Sequence, residues 1–101
     1  MVIWTIPAKH DLKKIYDYIA EDSQYYAKEV TEKIVELTTN LGTFSQKGRI
    51  VPELKKETIR ELFFYSYRII YEIYNGNIYI ITILNMRKIL RPSLVNKNRH
   101  L

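Results

Sequence analysis

The sequence has no cysteine, so a disulfide framework, a thiolate metal site and a cysteine nucleophile are all excluded. Glycine and proline occur three times each, too rarely for a linker-rich or low-complexity chain. Only two histidines are present, His10 and His100, far apart and without a cysteine neighbour, which gives no metal-ligand spacing. Ser23, Ser45, Ser66 and Ser93 have no histidine at a motif spacing, which argues against a serine-nucleophile enzyme. No stretch approaches the ~20 apolar residues of a membrane helix. Met1 to Pro7 lacks the basic start and apolar run of a secretory leader. A soluble, cytoplasmic, cofactor-free protein is the simplest expectation.

What is present is a short, hydrophobic and basic chain. With 101 residues, 47% of them hydrophobic, one domain with a compact core is expected. The net charge of +5 suits an acidic partner such as nucleic acid, a ribosome or an acidic protein. From Asn85 onward stand Arg87, Lys88, Arg91, Lys97 and Arg99 with no acidic residue.

Val2 to Ile6 reads as a short strand stopped by Pro7, which fits the first turn of a following helix. Ala8, Leu12, Ile15, Tyr16 and Ile19 recur at helical spacing, ending near Glu21. Asp22 or Ser23 can cap a second helix with the stripe Ala27, Val30, Ile34, Leu37, Leu41. Glu29 and Lys33 are spaced for an i,i+4 pair, and Gly42 suits a left-handed C-cap. The short link makes the helices an antiparallel hairpin. Thr43 to Thr58 reads as a loop with an extended piece at Arg49-Ile50-Val51.

Three strands follow: Ile59 to Phe64, Tyr67 to Tyr74 and Asn77 to Leu84, turning at Tyr65-Ser66 and Asn75-Gly76. Asn-Gly is the preferred pair for a type I′ turn. Alternation puts Tyr67, Ile69, Tyr71 and Ile73 on one face, toward the helices. It puts Arg68, Ile70, Glu72 and Tyr74 on the other, expected to be open or covered by partners. The order predicts an α+β sandwich, with the first strand joining a twisted antiparallel sheet beneath a helix hairpin. Residues 1–90 are expected to form the domain and 91–101 a flexible basic tail.

Several of these pieces, in this order, resemble toxins of the RelE/ParE family. They are Trp4, Ala8, Asp11-Leu12, Ile15 and Tyr18-Ile19-Ala20; Gly48 to Glu53; Ile59-Arg60-Glu61-Leu62; Tyr67 to Ile73; and Ile83 to Leu90. The resemblance implies the sandwich fold, a growth-inhibiting, plasmid-stabilising role in a toxin–antitoxin pair, and a cognate antitoxin partner. That antitoxin is expected to lay an amphipathic helix along the hairpin and an extended arm near the sheet.

The resemblance also implies where chemistry would sit. RelE-type ribonucleases cleave mRNA in the ribosome with a basic cluster and a tyrosine. Here Arg68 and Arg87 fall on basic positions, but Ile59 and Glu61 stand where lysines are expected, and Ser93 lies near the tyrosine position. Family members often have His where this chain has Asn85, which cannot titrate near neutrality. Arg49 to Glu53 and Arg60-Glu61-Leu62 look more like the ParE branch, understood to poison DNA gyrase by binding it. Arg87, Lys88 and Arg91 are then the candidate target contacts. A plainer reading pairs Arg68 with Glu61 or Glu72 as a surface ion pair contributing about 0–1 kcal/mol. A gyrase-binding toxin, a ribosome-dependent endoribonuclease and a degenerate toxin that retains only antitoxin binding all stay open.

Overall fold

The computed structural model describes residues 1–86. The elements are β1 (Val2–Trp4), α1 (Ile6–Ala20), α2 (Gln24–Thr39), a 3₁₀ turn (Asn40–Gly42), β2 (Arg49–Ile50), β3 (Ile59–Phe64), β4 (Tyr67–Tyr74) and β5 (Asn77–Asn85). The strands form one sheet in the order β1-β5-β4-β3-β2. The C-terminal meander is antiparallel as expected, and β2 adds antiparallel to β3. β1 joins parallel to β5, so the sheet is mixed.

The helix boundaries follow from their caps. Thr5 is extended (φ −69°, ψ 159°), accepts the Ala8 amide on its side chain and precedes Pro7 in the first turn. Its buried hydroxyl also donates to the Ile80 carbonyl at 2.8 Å, so one side chain starts α1 and fastens it to β5. Ser23 caps α2 by accepting the Tyr26 amide at 3.1 Å. Gly42 does not act as a left-handed cap. The helix tightens into the 3₁₀ turn instead, and Gly76 is the only positive-φ glycine among the described residues. Lys33 reaches Glu36 at 3.6 Å rather than Glu29, while Lys28 reaches Glu32 at 3.9 Å.

The core lies between hairpin and sheet. Ala8, Ile15, Val30, Ile34 and Leu41 meet Ile69, Tyr71, Ile78, Ile80 and Ile83, with Tyr67 and Ile73 partly buried beside them. Each large side chain fully buried there contributes roughly 1.5–3 kcal/mol. On β5 the core residues are spaced by two and then by three. The reason is a bulge: Ile70 pairs with Thr82 but Tyr71 with Ile80, leaving Ile81 as the inserted residue on the opposite face. Asp11 of α1 secures this point, accepting the Thr82 hydroxyl (2.6 Å) and the Ile83 amide (3.1 Å). The Asn75-Gly76 turn has φ +50° and +77°, as a type I′ turn requires.

The other sheet face departs from expectation. It is not open. Val51 and Leu54, from the segment between β2 and β3, cover Ile59, Ile70 and Ile81 in a second apolar cluster. Arg68, Glu61 and Glu72 are all buried on this side.

Candidate functional site

The covered face contains a chain of charges. Glu61 has a side chain with no exposed area, and Arg68 is 7% exposed. Arg68 donates from Nε to Glu61 (2.6 Å) and from its two terminal nitrogens to the two oxygens of Glu53 (2.7 and 2.8 Å). Glu61 accepts a second cation on its other oxygen, Nε of Arg49 at 2.7 Å. Arg49 also lies over the Phe63 ring, 4.7 Å from its centroid. The fork of a guanidinium matches a carboxylate edge, so these are strong, directional bonds. Hydrogen bonding to Glu53 outweighs burial and pushes the Arg68 pKa upward, keeping it charged.

Two further ties hold the segment after the helices against the sheet. Arg60 donates to the carbonyls of Glu57 and Gly48, both at 2.9 Å. The Tyr71 hydroxyl donates to the Ser45 carbonyl (2.7 Å) and accepts the Gly48 amide (2.9 Å). Gly48 fits because it has no side chain: a Cβ there would lie 2.6 Å from the Glu61 carbonyl oxygen and 2.8 Å from the Tyr71 ring.

The expected site residues therefore separate. Arg68 pairs with Glu61, as the plainer reading held, but within a buried network and not at the surface. Glu61 is not a carboxylate on an open face. Asn85 pairs with Tyr67 at the end of β5, and it is exposed there. Arg87, Lys88, Arg91 and Ser93 lie outside the described residues, as does the expected tail. His10 is exposed, as expected. Among the described residues no cluster of His, Asp or Glu could hold a metal ion, and no helix is long and apolar enough to cross a membrane.

A feature not foreseen lies at the tip of the hairpin. Two adjoining hollows of ≈ 400 and ≈ 590 Å³ share Tyr26, Val30 and Tyr65. They run between α2 and the β3–β4 turn. Tyr18, Tyr25, Tyr26 and Tyr65 are largely exposed there. Tyr25 and Tyr26 meet edge-to-face at 5.6 Å, and Phe64 and Tyr65 lie 4.6 Å apart. Burial raises the Tyr67 phenol above its ordinary value, with Tyr18 adding to the shift. The available signal was the placing of adjacent aromatics, Tyr25-Tyr26 and Phe63-Phe64-Tyr65, partly off the apolar stripes.

A helix hairpin over a five-stranded mixed sheet is the fold that the RelE/ParE resemblance implies. The chain matches the family model described as "ParE toxin of type II toxin-antitoxin system, parDE" over residues 2–90, and it belongs to that family. Among solved structures it is similar to a chain of a chromosomal ParDE TA system from P. aeruginosa. The TM-score is 0.68 at 24% identity, covering 83% of this chain and 92% of that one. No curated protein sequence matches it significantly.

Proposed function

We propose that this chain is a cytoplasmic growth-inhibiting toxin that acts by binding DNA gyrase and is neutralised by a cognate antitoxin. The observation that carries the mechanistic choice is the engagement of Arg68. A ribonuclease of this fold would use that guanidinium to stabilise charge on the RNA phosphate. Here it is buried and spans two carboxylates. Glu61 stands at a position where a lysine is expected, and with both oxygens held by arginines in the interior it supplies no cation to a phosphate. Inhibition by binding needs a surface and no catalytic cluster. Family membership supports the antitoxin, and Arg87, Lys88 and Arg91 are proposed as the contacts to gyrase.

Two assays on the purified chain test this. One follows supercoiling and cleavage-complex formation by gyrase; the other follows mRNA cleavage on programmed ribosomes. Inhibited gyrase with intact mRNA is the expected outcome. Robust mRNA cleavage that disappears in a folded Arg68→Ala variant overturns the proposal in favour of the endoribonuclease. Inactivity in both assays favours a toxin that keeps only antitoxin binding.

A further inference from the structure

The aromatic groove at the hairpin tip has three properties that point to one kind of occupant. Its lining includes the rings of Tyr25, Tyr26 and Tyr65, a residue type that attracts cations as well as apolar side chains. That lining also includes an exposed carboxylate, that of Glu29. Glu32 and Glu36 are already engaged by Lys28 and Lys33, whereas the Glu29 side chain has no hydrogen bond or ion pair to another described residue. Glu29 follows Tyr25 by four positions and Tyr26 by three, so all three share one helix face. The groove is thus a local reversal of sign on a chain of net charge +5. Nucleic acid is disfavoured there by the carboxylates.

The third property is strain. Tyr65 sits at φ +53°, a left-handed conformation that favours glycine. The residue is 70% exposed, so burial does not explain its presence. The two-residue turn between β3 and β4 demands that backbone, and a tyrosine in place of glycine there sets an exposed ring at the edge of the groove.

We propose that this groove seats a basic side chain, arginine or lysine, flanked by apolar residues on an amphipathic segment of the antitoxin. The cation lies between the Tyr25, Tyr26 and Tyr65 rings and pairs with Glu29. The apolar neighbours enter the adjoining hollow beside Ile19 and Val30. Such a buried cationic anchor with an aromatic surround is how a small interface concentrates its affinity. This inference rests on the antitoxin reading above.

The test uses calorimetry with the product of the open reading frame adjacent to this chain's own as the probe. Glu29→Lys and Tyr65→Gly are each expected to weaken binding by about ten-fold or more, and Glu29→Gln by less. Glu57→Lys, the same charge change on the far side of the molecule, is expected to leave affinity unchanged. Tyr65→Gly is also expected to keep or raise the thermal midpoint, because it relieves the strained backbone. That combination separates a contact role from a structural one. If the wild type binds tightly and both variants stay within about two-fold of it, the inference is wrong and the proposed function survives. If the wild type fails to bind at micromolar concentration, both are overturned. If the variants keep the antitoxin but lose gyrase inhibition, the groove belongs to the target and the inference falls.

Discussion

Replacing Arg68 with alanine tests the buried network directly. The substitution removes a guanidinium that makes charged hydrogen bonds to Glu61 and to both oxygens of Glu53. Removing one partner of a buried pair typically costs about 3–5 kcal/mol, because the other charge stays buried without compensation. Two features place this case near the lower figure. Glu61 keeps Arg49, whose side chain is 59% exposed, and Glu53 is itself 23% exposed and can turn to water. A loss of about 3 kcal/mol lowers the thermal midpoint of a domain this size by about 12 °C or more. In urea, where the slope is about 1–3 kcal/mol per molar, the midpoint falls by about 1–3 M. Equilibrium urea denaturation followed by far-UV circular dichroism measures this. An apolar replacement of both partners, Arg68→Met with Glu61→Leu, is expected to regain part of the loss, since no orphaned charge remains. A loss below about 1 kcal/mol in the single variant refutes the reasoning. The network would then contribute little, and Arg68 would be available for chemistry.

Two other perturbations probe the attachment of the segment that follows the helices. Gly48→Ala places a methyl group against the Glu61 carbonyl oxygen, which cannot retreat without moving β3, so a loss of about 1–3 kcal/mol or more is expected by denaturant titration. Tyr71→Phe leaves the Ser45 carbonyl without its donor and the Gly48 amide without its acceptor, at about 1–3 kcal/mol. Burial raises the Tyr71 phenol above its ordinary 10.0, the Gly48 amide and Arg60 opposing it. A pKa raised on folding gives stability that is complete below the unfolded value and lost as pH climbs through the folded one. Stability measured above pH 10 should therefore fall more steeply in the wild type than in Tyr71→Phe.

Elements set by local chemistry were legible in the sequence. The helix stripes, the Ser23 cap, the Asn75-Gly76 turn and the helix-facing side of β4 all repeat at short spacing, and the structure keeps each of them. Features made by distant partners were not legible. Strict alternation gives a charged face on β4 but says nothing about its cover. That cover comes from Val51 and Leu54, in a segment with no periodicity. Arg68 read as a surface charge because Glu53, its bidentate partner, lies in that same segment. The bulge at Ile81 escaped notice because an inserted residue looks like any other in an apolar run. The groove escaped because it forms only where α2 meets the β3–β4 turn, two segments far apart in sequence.

The bonds from Thr5 to Ile80 and from Asp11 to Thr82 and Ile83 join residues more than seventy positions apart. They impose an order on synthesis. β1 and α1 leave the ribosome well before the strand that receives them, which is the last in sequence among the described residues. Until Asn77 to Asn85 has been made, β1 has no neighbour to pair with and α1 has nowhere to anchor its first turn. Closing such long loops comes late in folding, because their entropy must be lost before the contacts form. A growing chain thus remains without its native surface until β5 has been made. Any partner that recognises the folded surface meets it only once that strand is in place.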